Sequence, residues 1–358
     1  MAIASAAFLL AAWTASVRQA ATPPPASGRR LASDANGRRA PIDFPFGGAA
    51  FLATTLGDYL FVTHRPDAIV LAPAYSPPRD RLLGRVFGGL IKGSSVRNNG
   101  TGASNLETLL ALRPGAVFSW YFQRPALERV GLPVIGVGAQ NGRFSLFDDA
   151  RAYAGALRLD GAAERIIAAY KDQMAATGGE LGPDIPRPGV LGLGFFGDGR
   201  MAVWIASNPA TRLIELAGAK NASAKRVNPP WIDAEEVLRI DPDILILREG
   251  ANNRVDPASF MSDARWRALK CVRNRRVYTI PKAAGSYFQG IVEDPLFVRW
   301  LAELVQPDRL RPKVRAMMRE AYSRELNYRL SDVELDDMLQ TKANGASSFY
   351  ERFLLDAQ

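Results

Sequence analysis

The chain has 358 residues, 47% apolar and 23% charged, with a formal net charge of +9. The length suggests about two domains, and the balance is that of a globular protein. A single cysteine, Cys271, and a single histidine, His64, exclude an intrachain disulfide and a Cys/His metal centre built from this chain alone.

Residues 1–21 hold an apolar core from Ile3 to about Ala15, too short to span a membrane, followed by small residues at Thr14, Ser16, Ala20 and Ala21. They read as a secretory signal peptide, though no Lys or Arg precedes the core. No cysteine near its end could carry a lipid, so export would deliver a free soluble protein without a lipoprotein anchor. Residues 22–40, rich in Pro, Gly and Arg, read as a disordered leader.

From Pro41 the pattern is α/β. A glycine-led helix is expected at Phe46–Phe61, a buried strand at Asp67–Ser76 and a helix at Arg79–Ile91. A strand end and Gly/Asn loop follow at Gly93–Asn105, with Ser104 or Asn105 capping the next helix. Gly115–Trp120 reads as a strand, Pro125–Gly131 as a short helix, Pro133–Gly138 as a strand and Leu146–Leu159 as a helix. Ala162–Leu181 reads as one helix of roughly 30 Å, with Ile166, Ile167, Tyr170 and Met174 on one face. Beyond it, Asp198–Gly199 between apolar runs predicts a hairpin within Gly189–Ala206. A helix at Asn208–Ala219, a helix and strand within Asp233–Arg248, a helix at Ser259–Val272 and a strand at Arg275–Pro281 follow. A Gly/aromatic loop, Ala283–Gly290, leads to a helical remainder whose last fifteen or so residues are weakly patterned. Strands alternating with helices imply mostly parallel sheets.

The chain repeats itself on either side of the long helix. Asn105–Trp120 and Asp233–Arg248 match at an offset of 128, pairing Glu107 with Glu235, Leu112 with Ile240, Pro114 with Pro242 and Val117 with Leu245. Helix, proline, strand is a common α/β unit, but two such halves around a 20-residue helix suggest two lobes and a cleft. The expected division is an N-terminal lobe over 41–161, an interlobe helix over 162–181, a C-terminal lobe over 182–342 and a tail over 343–358.

Chemistry is sparse. Gly192–Gly197 fits GxGxxG, yet a second apolar strand follows it where a pyrophosphate site needs a helix N-terminus. There is no nucleophile elbow, no phosphate-binding loop and no metal motif, so a binding protein without a cofactor is favoured over an enzyme. The basic excess comes without an aromatic–basic or zinc-spaced motif, so nucleic acid is not an expected partner. His64 reads as a structural or surface histidine. What remains are aromatic and basic residues around the predicted strand ends: Tyr75, then Trp120, Tyr121, Phe122 and Arg124, then Phe195, Phe196 and Arg200, then Arg248, and Tyr287 beside Phe288. Ligands of open α/β sheets bind outside the carboxyl ends of strands. Aromatic faces with a few arginines suit a large, partly planar, anionic ligand, although each aromatic alone also fits core packing. Glu107 and Glu235, in the first turns of matched helices, complement the helix dipole or form equivalent acidic knobs.

NLETLLALRPGAVF (105–118), ELAGAKNAS (215–223), DAEEVLRIDPDILIL (233–247) and WRALKCVRNRRVYTIP (266–281), in that order, resemble the periplasmic solute-binding proteins of ABC importers for iron–siderophore, cobalamin and haem. EDPLFVRWLAELVQPDRLRP (293–312) is similar to a subgroup for iron compounds. The resemblance runs from Pro41 to Leu339. It implies two Rossmann-like α/β lobes, each with a mostly parallel sheet, joined by one long helix, with the ligand held between them. It implies a monomer that delivers an iron chelate, a ferric siderophore first, to an inner-membrane permease with its ATPase. Cobalamin, haem or a metal oxyanion are the alternative ligands, and an enzyme or metallochaperone on the same two-lobe fold is the alternative function. The family's docking glutamates match Glu107 and Glu235, with Glu236 the near alternative. Gly115 departs from the family's usual Asp, and IDFPFGGAAFLATTLGD (42–58) matches its opening pattern poorly.

Overall fold

The computed structural model describes residues 28–34, 36–53, 55–73, 82–87, 94–96, 106–138, 145–159, 161–196, 199–226, 229–248, 255–282 and 290–354. The expected signal peptide therefore lies outside the described residues. The chain divides into two compact units, Met1–Ile166 with Tyr322–Tyr328, and Ile167–Ala321 with Arg329–Gln358.

The first unit begins with a correction. Strands β1 (Gly28–Ser33) and β2 (Arg39–Phe44) pair antiparallel across much of the stretch expected to be a disordered leader. Ala40, Ile42 and Phe44 are buried while Arg39, Pro41 and Asp43 are exposed, the period-2 signature of a half-buried strand. Arginine-rich composition concealed that alternation. The turn is fastened by Asp34, whose carboxylate accepts from the backbone N–H of Asn36 at 2.9 Å and of Arg38 at 2.8 Å.

A parallel sheet follows. Its elements are β3 (Ala49–Phe51), α1 (Leu56–Thr63), β4 (Ile69–Pro73), α2 (Leu82–Phe87), β5 (Ser94–Val96), α3 (Leu106–Leu112), β6 (Ala116–Trp120), α4 (Arg124–Glu128), β7 (Val134–Val137) and α5 (Leu146–Leu157). The strand order is β5-β4-β3-β6-β7, and every pairing is parallel. Phe46–Phe61 is thus a short strand and then a helix. Three consecutive buried apolar residues in a central strand carry no period to distinguish them from helix. One sheet face packs Ala50, Leu71, Val117 and Val134 with Leu109. Aromatic rings gather Phe51, Tyr59, Phe118 and Tyr153, with centroid separations of 4.7–5.8 Å for the closer pairs.

Helix α6 spans Ala162–Leu181, the bounds its periodicity predicts, and the division between the units falls after Ile166, inside it. The second unit then runs β8 (Gly189–Phe195), β9 (Met201–Val203), α7 (Pro209–Leu216), β10 (Lys220–Asn221), β11 (Trp231–Ile232), α8 (Ala234–Ile240), β12 (Ile244–Arg248), α9 (Pro257–Ser262), α10 (Lys270–Arg273), β13 (Val277–Thr279), α11 (Asp294–Val305), α12 (Val314–Leu326) and α13 (Asp332–Leu339). From Tyr322, α12 is assigned to the first unit. The sheet order is β11-β9-β8-β12-β13, with β10 also beside β8. β8, β10, β12 and β13 are parallel, and β9 and β11 are antiparallel additions. The single helix expected over Ser259–Val272 is broken, because Asp263 accepts from the Arg265 N–H at 2.9 Å and starts a separate 3-10 turn.

The repeat survives in the backbone. α3 and α8, and β6 and β12, begin and end at the same offset of 128. Even the turn agrees: Arg113 at φ 45° and Asp241 at φ 44° occupy the left-handed region ahead of the matched prolines.

The weakly patterned C-terminus packs against β13. Asn344 accepts from the Thr279 N–H at 2.7 Å and donates to the Thr279 carbonyl at 3.1 Å, as a neighbouring strand would. Ser347 donates to the Val277 carbonyl, and the Ser348 N–H donates to the Arg275 carbonyl at 2.8 Å.

Candidate functional site at the carboxyl ends of the two sheets

In the first unit the strand order reverses between β3 and β6, and such a switch point opens a crevice at the strands' carboxyl ends. There the chain leaves β6 through a 3-10 turn, Tyr121–Gln123, closed by Gln123 Oε1 accepting from the Trp120 N–H at 3.3 Å. The Trp120 ring lies against Gly138 and the Tyr121 ring against Gly136, where an added Cβ would come within 2.1 and 2.4 Å of ring carbons. Phe122 is 77% exposed. Arg124 is only 2% exposed, bonded to Asp34 and, at 2.6 Å, to Glu128. Its charge fastens the N-terminal hairpin to the turn after β6. Tyr75 and Tyr287, with Phe288, lie outside the described residues.

Behind the turn is a group that the motifs did not flag. Asp149 of α5 is buried, and both its oxygens accept from the Gly138 N–H, at 3.1 and 3.0 Å. Burial pushes its carboxyl up to about 8; the Gly138 bond opposes this, and the acidic neighbours Asp58, Asp148 and Asp34 add to it. Tyr153, wholly buried beside it, has its hydroxyl raised by the same desolvation. Acidic residues are usual in a helix's first turn, so nothing in the sequence singles Asp149 out from its neighbour Asp148.

In the second unit the glycines of the GxGxxG run sit in β8 itself, and no helix starts there. A Cβ on Gly192 would strike the Trp204 ring, and one on Gly194 would come within 3.3 Å of Arg248 Nε. Alternate glycines on one face of a strand thus let an indole and a guanidinium lie across it. The Arg248 guanidinium carbon is 5.7 Å from the Trp204 ring centre, and that of Arg200 is 4.0 Å from Trp231. Phe196 meets Trp231 edge-on at 5.3 Å, while Phe195 is half-buried against Phe260. Sequence reasoning found the arginines and phenylalanines but missed Trp204 and Trp231; the glycines spaced by two were the available signal. Arginine stacks through its face and hydrogen-bonds through its edge, so this set can take a flat anion. Among the described residues no group of three His, Cys, Asp or Glu could hold a metal ion.

The periplasmic binding protein family matches residues 65–284, more than half of the chain. The chain belongs to that family. Members of the family bind solutes for ABC transporters rather than turning them over. No curated protein matches the chain. A periplasmic solute-binding protein from Veillonella parvula is 21% identical, with a TM-score of 0.74 over 89% of this chain and 99% of that one. The molybdate-binding protein MolA of Haemophilus influenzae is 17% identical, at 0.67 over 84% and 99%. FeuA from Bacillus subtilis, a triscatecholate siderophore-binding protein solved with ferri-bacillibactin, is 13% identical, at 0.59 over 78% and 98%. At these identities the likeness is one of fold: two α/β lobes with a long connecting helix. No described helix is long and apolar enough to cross a membrane.

The matched glutamates of this periplasmic binding protein fall on its repeated helices. Glu107 and Glu235 are exposed in the first turns of α3 and α8. Glu236 is instead half-buried and bonded to Arg226. One turn beyond each exposed acid is a matched exposed leucine, Leu110 at 42% and Leu238 at 37%. His64 is half-buried at the end of α1, its imidazole pushed below its ordinary range by burial and by Arg165.

Proposed function

We propose that this protein captures a metal–organic anion, a ferric siderophore first, and delivers it to an inner-membrane ABC permease and its ATPase. The supporting observation is the pair of arginines on indoles, Arg200 on Trp231 and Arg248 on Trp204, at the carboxyl edge of the second sheet. Two indole-backed arginines, with the half-buried Trp231 and Phe196 beside Arg200, offer a broad chelate more surface than a bare oxyanion would use; Trp204 itself is buried and only backs Arg248. Trp120 and Phe122 at the carboxyl edge of the first sheet, and Phe195 and Phe196 at that of the second, supply further apolar surface, with Tyr121 buried behind Trp120; Tyr75 and Tyr287, outside the described residues, are assigned the same role. Arg124, locked by Asp34 and Glu128, supports the Trp120–Gln123 turn instead of reaching the ligand. Residues 1–21 act as the export signal, and N-terminal sequencing of periplasmic protein checks that they are removed.

Titration of the purified protein with a ferric tris-catecholate, cobalamin, haemin and molybdate tests the ligand choice. The ferric chelate is expected to saturate, and Arg200→Gln with Arg248→Gln to weaken it about tenfold or more, equivalent to about 1.4 kcal/mol. Saturation by cobalamin with no response to the ferric chelate overturns the choice.

Glu107 and Glu235, each followed by an exposed leucine, form the two contacts with the permease. In a reconstituted importer, joint Glu107→Gln and Glu235→Gln substitution is expected to cut stimulated ATP hydrolysis about tenfold while leaving ligand affinity unchanged, since truncating charges at an interface acts on association. Undiminished stimulation would remove these residues from the interface.

A further inference from the structure

The second unit has a cavity at the other end of its sheet. It measures about 850 Å3, inside the ~300–1,000 Å3 range of small-molecule sites. Its walls come from the turns that enter β8, β12 and β13 and from the chain leaving α11. In parallel sheets the ligand edge is the carboxyl one, so this cavity is separate from the residues assigned to the transported solute.

Three observations mark it. First, Arg276 is fixed in the wall: it donates one guanidinium nitrogen to the Leu304 carbonyl at the end of α11 and is hydrogen-bonded with the Tyr278 side chain. Second, Phe349 adopts φ 64°, a left-handed conformation that bulky side chains avoid, and its ring centre lies 5.6 Å from the Arg276 guanidinium carbon. Strain of this kind persists where the surroundings enforce it and gathers at ligand sites. Third, Arg187 and Arg309 bring the lining arginines to three against Asp243 and Asp308. Asp243 is already engaged, accepting from the Gly189 N–H at 2.7 Å.

The geometry points to a binding site for a small organic anion, its single carboxylate or phosphate on Arg276 and its flat apolar body against Phe349. The surplus of one positive charge in the lining matches one negative group. A guanidinium stacked on an aromatic ring presents its edge to such a group, and the ring extends the same wall for an aromatic or alicyclic body.

Calorimetric titration of the full protein with benzoate, phenyl phosphate, inorganic phosphate and neutral benzamide tests the site. Benzoate or phenyl phosphate is expected to bind at millimolar concentration or below, and whichever binds more tightly identifies the anionic group. Benzamide is expected not to bind. Arg276→Gln should weaken the aromatic anions about tenfold, and Phe349→Ala severalfold while leaving inorganic phosphate unchanged. Arg276→Gln also removes the bond to Leu304, so Arg187→Gln, at an exposed position, provides a second variant, with a severalfold loss expected. Arg248→Gln, on the opposite edge, should change nothing. Absence of binding by both aromatic anions, equal binding of benzamide, or affinities untouched by Arg276→Gln and Arg187→Gln would overturn the site and leave Arg276 as a helix cap only.

Discussion

Replacing Arg124 with alanine is expected to lower the unfolding free energy by about 3–5 kcal/mol, because it strands a buried carboxylate. Both partners are out of solvent, with side-chain exposures of 2% for Arg124 and 1% for Asp34. Asp34 also holds the turn of the β1–β2 hairpin through the N–H groups of Asn36 and Arg38. Loss of the guanidinium therefore leaves a charge with no cation beside it and frees the hairpin from α4. Urea unfolding at pH 7 reads the effect. A companion pair, Asp34→Asn with Arg124→Met, separates the stranded charge from lost packing: it should recover much of the loss, since a buried ion pair costs more to break than to replace. A loss under about 1 kcal/mol in the single variant, the range of exposed pairs, would mean that the pair is solvated. Ligand affinity in Arg124→Ala should fall only as far as the Trp120–Gln123 turn is disturbed.

Asp149 sets a pH dependence of comparable size. Its folded carboxyl titrates near 8, while an unfolded aspartate ionises near ~4. Between those values the folded state holds one proton more than the unfolded state, so stability falls as pH rises. The contribution is intact below about 4 and lost as pH passes through 8, at about 1.4 kcal/mol per pH unit in between. Asparagine is neutral throughout and keeps an oxygen to accept the Gly138 N–H. Asp149→Asn should therefore match the wild type near pH 4 and become progressively more stable than it toward pH 8. Thermal or urea melts at four or five pH values would show the two curves diverging. Parallel curves would mean that Asp149 is ionised in the folded protein and solvated by water.

Much of this architecture was legible in the residues, and the exceptions have physical causes. The long helix and the α3–β6 and α8–β12 blocks were readable because amphipathic period, proline stops and buried strands coincide in each. The β1–β2 hairpin was not, since its exposed face is built from arginines that read as leader composition. β3 has three residues and no solvent face, so nothing in it alternates. In the candidate site, arginines at strand ends announced themselves, whereas Trp204 and Trp231 lie away from the ends of the ligand-edge strands and become neighbours only when β9 and β11 fold back beside β8. Arg124 looked like a ligand contact until Asp34, ninety positions earlier in the chain, supplied its partner.

The segment after α13 has a consequence for how this protein can be handled and how it can fail. Asn344 and Ser347 occupy hydrogen-bonding groups along β13, the last strand of the second sheet, that a neighbouring strand would otherwise use. Bare strand edges recruit strands from other molecules. A chain trimmed after Leu339 would keep all thirteen described strands yet expose that edge, turning this binding protein into a template for self-association that light scattering would register. The C-terminal residues with the least pattern thus act as a guard against polymerisation, and affinity tags or truncations are better placed elsewhere.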